Sequence, residues 1–348
     1  ACIIFFSDYW GNEQTKYFSY VIVAISVVVF VLSVLESDAK IHFTFVLTIT
    51  GALAYSFAFM RNLPLLAVFV SSLMFLFYMY QQGLDKGNFR VLYFCCTILA
   101  VQALYMSAQP GSLYLRSRML VLAFKNPNMT GIILYNLAVI LLTGNKNKKK
   151  KWCKVLFAFL GFLMCSLTIW TLNRGSILAL IVFALVVPAY VKQIKACGAL
   201  RVILIVFPWI AMFLYSSLLH VIPIDAMLFN KPFFSGRQIL WRECIESILS
   251  NPFSIKSYET GGLNLVLSGL YQLGIIAVTG YFMFINTLKP LFSFSNRITF
   301  QVVGYIGFLC IFVQQAFEST LIYGSYGVYI FSYLLLGISC SNTRRTGF

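Results

Sequence analysis

Eleven apolar stretches, each close to the thickness of a bilayer's hydrocarbon layer when helical, follow one another along this chain, with charge confined mostly to the gaps. They fall at about 17–35, 40–59, 63–80, 89–107, 129–143, 154–172, 176–191, 200–219, 263–283, 298–317 and 320–340. A helix needs roughly 20 apolar residues to cross that layer, with a range of about 17–25. Backbone polar groups in lipid must be satisfied within the segment, and no alternating pattern competes, so the stretches read as helices and not barrel strands. Composition agrees: 60% of the residues are hydrophobic and only 10% charged, with a mean hydropathy of +0.85. A soluble domain carries about a quarter charged residues, because something must face water. The expectation is an all-α integral membrane protein, with 1–348 as a single polytopic domain. Ala1 to Phe6 is apolar but too short to span, with neither an initiator Met nor a charged leader region, which leaves room for a further helix upstream.

A formal charge of +16 points to nucleic acid in a soluble protein, but in a membrane chain the Lys/Arg excess marks cytoplasmic loops. The strongest such mark is the loop 144–154, with Lys146, Lys148, Lys149, Lys150, Lys151 and Lys154. Counting spans outward from it places sixteen Lys/Arg inside and ten outside, while seven of the ten acids fall outside. Two longer stretches then lie outside, 108–128 and 220–262. Nine cysteines, an odd number, sit mostly within apolar runs such as Cys95-Cys96, Cys165 and Cys310. Thiols there behave as small hydrophobes. No CxxC pair or Cys/His spacing suits a metal, so neither a zinc site nor a structural disulfide is expected.

The informative residues are the cations that break the positive-inside rule. Arg116, Arg118 and Lys125 lie in the first external loop, Arg174 in the tight turn Asn173-Arg174-Gly175-Ser176, and Arg237 and Arg242 in the long loop. A single arginine at a helix end ordinarily snorkels to lipid head groups. Several on one face suit a phosphate or diphosphate, which a guanidinium binds bidentately. Between Ser235 and Ser250 of the long loop, Leu240, Trp241, Cys244, Ile245, Ile248 and Leu249 recur at helical spacing. Gln238, Arg242, Glu243, Glu246 and Ser247 take the other face. That pattern predicts an amphipathic helix on the outer surface, ended by Asn251-Pro252.

Four segments, in order, resemble the O-antigen polymerase and O-antigen ligase family of membrane glycosyltransferases. They are Phe124-Lys125-Asn126-Pro127-Asn128-Met129-Thr130-Gly131; Leu172-Asn173-Arg174-Gly175-Ser176; Gly236-Arg237-Gln238-Ile239-Leu240-Trp241 with Asn251-Pro252-Phe253; and Gly262-Leu263-Asn264-Leu265 running to Leu273-Gly274. The resemblance covers about residues 120–340. It implies a GT-C-like architecture in a bacterial cytoplasmic membrane, with the active face outside and no cofactor. The substrates it implies are undecaprenyl-diphosphate-linked oligosaccharides, as both donor and acceptor. Membrane lipids surround such an enzyme, a chain-length regulator is an optional accessory, and nucleic acid has no part.

In a polymerase the growing glycan passes from its lipid carrier to a new lipid-linked repeat unit; in a ligase it passes to a different acceptor. The leaving lipid diphosphate needs preorganised cations. Arg174 and Arg237 match the family's two arginines and take that role, with Arg116, Arg118, Lys125, Asn128, Arg242 and Asn264 as substrate-binding candidates. The acceptor hydroxyl needs a base. Where the family often has His before Asn264, this chain has Leu263, and its two histidines are His42, on the inner side, and His220. External carboxylates are the replacements: Glu259, slightly favoured, and Glu318, with Glu246 weaker because Arg242 can pair with it. A lipid-linked oligosaccharide flippase is the rival from another class. A transporter would be expected to carry charge or helix breaks near mid-span in both halves, whereas here charge gathers at one outer face.

Overall fold

The computed structural model describes residues 86–114, 119–122, 126–147, 150–192, 198–218, 221–223, 226–228, 231–232, 237–252, 264–273, 299–318 and 329–340, with six helical positions before residue 80. Among these the chain is overwhelmingly helical. The helices are α1 (Lys86–Ser107), α2 (Pro127–Asn147), α3 (Lys151–Trp170), α4 (Arg174–Lys192), α5 (Gly198–Leu218), α6 (Arg237–Ser250), α7 (Leu265–Leu273), α8 (Thr299–Gln315) and α9 (Tyr329–Cys340). Two antiparallel two-residue ladders complete the described elements: β1 (Leu113–Tyr114) with β2 (Met119–Leu120), and β3 (Met227–Leu228) with β4 (Lys231–Pro232). Eight of the apolar stretches read from the sequence thus contain helix; 17–35, 40–59 and 63–80 lie almost wholly outside the described residues.

Three helices, Asn88–Ser107, Pro127–Gly144 and Lys151–Trp170, are long and apolar enough to cross a membrane. The exposed side of α3 bears this out. Val155, Leu156, Phe159, Phe162 and Ile169 face outward, and Trp152 and Trp170 stand near its ends, 85% and 43% exposed. Eighteen residues at 1.5 Å each separate the two indoles by about 27 Å, close to the hydrocarbon thickness. Trp at both ends of an apolar face is the pattern of membrane–water interfaces. Val91, Phe94, Ile98, Val101 and Tyr105 form a matching outward stripe on α1.

At the centre stands α8, buried on every side from Phe300 to Gln315 and packed against α2, α4, α5 and α9. A helix apolar all round is one with no solvent face. Small residues let its neighbours close in. A Cβ on Gly304 would press on Ile338 of α9, and one on Gly307 would collide with Val139 of α2. Close approach through small residues is how bundles in lipid gain van der Waals packing without a hydrophobic driving force. The Tyr135 hydroxyl donates to the Gly307 carbonyl across the same seam at 3.0 Å.

Only three residues separate α2 from α3, and three separate α3 from α4. These tight turns make the helices antiparallel. The starts of α2 and α4 and the end of α3 therefore share one end of the bundle, and the lysine run lies at the other. The stretch 108–128, read from sequence as an external loop, folds in part onto that first end. Met119, Leu120, Val121 and Leu122 are buried, and the Thr130 hydroxyl donates to Val121 O at 2.5 Å. Four consecutive apolar residues carried the signal.

Candidate functional site

Three helix starts, those of α2, α4 and α6, and two helix ends, those of α3 and α8, meet at that first end of the bundle. Asn126-Pro127 opens α2: the Asn126 side chain accepts the Asn128 N–H at 2.9 Å, and Pro127 occupies the first helical position, where a missing N–H costs nothing. In the α3–α4 turn, Thr171 Oγ1 accepts the Asn173 N–H at 3.2 Å and donates to Thr168 O at 2.7 Å. Leu172 adopts φ +51°, in the left-handed region. A side chain there costs about 1–2 kcal/mol, so surrounding contacts must hold the turn, and strain of this kind collects at functional positions. Asn173 then caps α4, its Oδ1 accepting the N–H groups of Gly175 at 3.1 Å and Ser176 at 3.4 Å. Arg174 follows as the first residue of α4.

One hydrogen-bonded chain joins these pieces. The Asn173 Nδ2 donates to the Asn128 carbonyl at 2.9 Å. The Asn128 Nδ2 donates to Glu318 Oε1 at 2.7 Å. Arg237, first residue of α6, places Nη2 on the same Oε1 at 2.6 Å and donates from Nη1 to the Phe317 carbonyl. The Arg237 and Glu318 side chains are 16% and 13% exposed, so the pair is largely shielded yet reachable. Beneath it, Gln314 Nε2 donates to Ser176 Oγ at 2.6 Å, tying the last turn of α8 to the first of α4. The α2 start reaches this turn because residue 131 is glycine. A Cβ there would lie 2.8 Å from Ser176 Oγ, 2.9 Å from Asn173 Cβ and 2.9 Å from Thr171 Oγ1.

The electrostatics of the cluster favour an anion. The N-terminal ends of α2, α4 and α6 each carry partial positive charge, and two of them begin with arginine. At α2 and α4 the asparagine caps already take first-turn N–H groups, so there the attraction is that of the helix charge and not of free donors. Against this, among the described residues, stands one carboxylate, Glu318, beyond the C-terminal end of α8.

The other residues singled out by sequence distribute differently. Arg242 is exposed on α6, with Glu243 and Glu246. The opposite face of α6 buries Trp241 and Cys244 against Leu267 of α7, with Leu240, Ile245 and Ile248 beside them. The expected stripe is therefore present, but Leu249 stands 77% exposed and does not belong to it. Asn264 is fully buried and bonds to neither Arg237 nor Glu318. Its Oδ1 caps α7 through the Leu267 N–H at 2.7 Å, and its Nδ2 donates to Pro208 O in the middle of α5 at 2.9 Å. Both polar ends of that side chain thus serve the protein. Arg116, Arg118, Lys125 and Glu259 lie outside the described residues. Sequence reading passed over Asn173 and Gln314 as site residues. Asn173 lay inside a quoted motif, and its place before Arg-Gly-Ser at a helix start marked it as a cap. Gln314 carried no signal, being a polar residue in an apolar run.

Among the described residues no cluster of His, Cys, Asp or Glu is arranged to hold a metal. No protein-family model, characterised protein or solved structure matches the chain.

Proposed function

We infer that this protein is a membrane glycosyltransferase that polymerises polysaccharide from undecaprenyl-diphosphate-linked repeat units at the outer face of a bacterial cytoplasmic membrane. One observation carries the reading. Asn128, the Asn173-Arg174-Gly175 turn, Arg237 and Glu318 come from four distant parts of the sequence, and three of the four segments behind the family resemblance meet at one end of the bundle, opposite the lysine run. The complete fold on this reading has about eleven spans and a GT-C-like arrangement.

Arg237 and Arg174 would hold the donor's diphosphate, where a planar guanidinium matches two phosphate oxygens at once. As the bond from the anomeric carbon to the diphosphate breaks, its electron pair leaves with the phosphate oxygen, and fixed cations stabilise that charge. The acceptor's hydroxyl oxygen forms the new bond to the anomeric carbon, and its proton passes to a carboxylate. Glu318 is the described carboxylate within reach of an arginine of the cluster. Base catalysis of this kind contributes about 10²–10⁴-fold.

The test is incubation of the purified protein with lipid-linked repeat units. A ladder of products is expected; a single product that needs a separate acceptor means ligase, and lipid movement without product means flippase. Arg174→Ala and Arg237→Ala should each abolish the ladder at normal protein levels, and Arg→Lys at either position should also be poor. A wild-type ladder from either alanine variant removes that arginine from the mechanism.

A further inference from the structure

Glu318 Oε1 occupies the point on which Arg237 Nη2 and Asn128 Nδ2 converge, at 2.6 and 2.7 Å. Two donors focused on one oxygen, at the mouth of three helix starts, form an oxyanion site already filled by the protein's own carboxylate. Both members of the ion pair stand at the wrong ends of their helices. Arg237 is a cation at the N-terminus of α6, and Glu318 is an anion just past the C-terminus of α8, with its own N–H bonded to Gln314 O at 3.2 Å. Each is disfavoured by its helix dipole, and each offsets the other's penalty. A bound anion at the α6 start would satisfy Arg237 and the helix dipole together, which Glu318 cannot do without remaining at an unfavourable helix end.

We propose that Glu318 is a placeholder for the donor: a diphosphate displaces it from Arg237 and Asn128, and the carboxylate so released becomes the acceptor's base. This rests on the glycosyltransferase reading above and adds an order of events to it. Before the donor arrives, Arg237 masks Glu318 and the base is idle. A diphosphate carries more charge and more acceptor oxygens than a carboxylate, so it takes the guanidinium in bidentate fashion. Glu318, no longer neutralised, turns toward the acceptor and receives the hydroxyl proton as the new glycosidic bond forms. The lipid diphosphate leaves with the electron pair of the broken bond. Glu318 then loses its proton to water, and its return to Arg237 helps expel the spent carrier. A base unmasked only by donor binding keeps the carboxylate from acting in an empty site.

The exchange makes a counterintuitive prediction. Glu318→Gln removes the internal competitor, so the full-length protein in nanodiscs should bind undecaprenyl diphosphate more tightly than wild type, about fivefold by the usual worth of a partly exposed ion pair, while its turnover collapses. Inorganic pyrophosphate, which has the diphosphate without the lipid, should tighten by the same factor. Glu318→Asp, which draws the acid back by one methylene, should move affinity in the same direction and serves if the glutamine variant does not fold. Glu243→Gln makes the same change of net charge on the exposed face of α6 and should leave affinity unchanged.

Weaker or unaltered diphosphate binding in Glu318→Gln overturns the exchange and makes Glu318 a fixed support for Arg237. Tightening of the lipid alone, or equal tightening in Glu243→Gln, overturns it too, since the cause then lies in lipid contacts or bulk charge. If wild-type protein binds neither diphosphate, the glycosyltransferase reading itself falls, and the exchange with it.

Discussion

Asn173 shows how much one side chain can arrange. Its oxygen caps α4 just ahead of Arg174, and its amide nitrogen fixes the Asn128 backbone, whose side chain in turn grips Glu318. The two duties separate by substitution. Asn173→Asp keeps the capping oxygen, and aspartate caps as well as asparagine, but it cannot donate to Asn128 O. Thermal stability should fall, because a carboxylate oxygen then faces the Asn128 carbonyl in a buried turn, and polymer yield should fall further than the loss of folded protein explains. Asn173→Ala loses both duties and should also lose about 0.5–2 kcal/mol of stability. Equal polymer yield from the aspartate variant would mean that the link to Asn128 only braces the fold.

The approach of elements is set by where side chains are missing. Gly131 lets the first turn of α2 lie against the α3–α4 turn, and Gly307 lets α8 lie against α2. Added methyls in packed interiors cost about 1–3 kcal/mol. Gly131→Ala should therefore lower the unfolding temperature and disturb the Asn128–Glu318 contact, with loss of activity beyond the loss of folded protein. Gly175 is different, although it sits in the more conspicuous Arg-Gly motif. A Cβ there meets Asn173 Oδ1, the Gln314 carbonyl and Phe317 Cδ2 all at 3.5 Å, an ordinary contact. Gly175→Ala should fold normally, and thermal unfolding of the two variants side by side checks the contrast. Sequence does not separate the two glycines, because a glycine's neighbours in space are invisible until the helices are docked. The amphipathic helix was legible for the opposite reason. Its period belongs to the helix itself, so Trp241, Cys244, Ile245 and Ile248 declared their buried face locally, while Leu249, one step off the stripe, depended on what α7 covers.

For the molecule as a whole, sidedness is the testable property. An engineered cysteine at Glu243, exposed on α6, should react with an impermeant thiol reagent from outside the cell, and one at Lys150, exposed in the lysine run, should not, each read over the wild-type background. The reverse pattern would put the cluster on the cytoplasmic side and overturn the proposed outer-face reaction. The sequence by itself determined the helical, membrane-embedded class of this protein and the positions of the described helices, because hydrophobic length and helical period are properties of contiguous residues, and lipid leaves a spanning chain no other way to satisfy its backbone. It also marked Arg174 and Arg237 as cations outside the lysine-rich face and, with Asn128, by their place in the motifs that carry the family resemblance. Only the tertiary structure decided that Asn128, Arg237 and Glu318 share one oxygen, that Asn173 ties them to Arg174, and that Asn264 is a brace in the interior. Those are contacts between residues 190, 81, 45 or 56 positions apart. Their geometry depends on how glycines and buried side chains let whole helices dock, which no local pattern encodes.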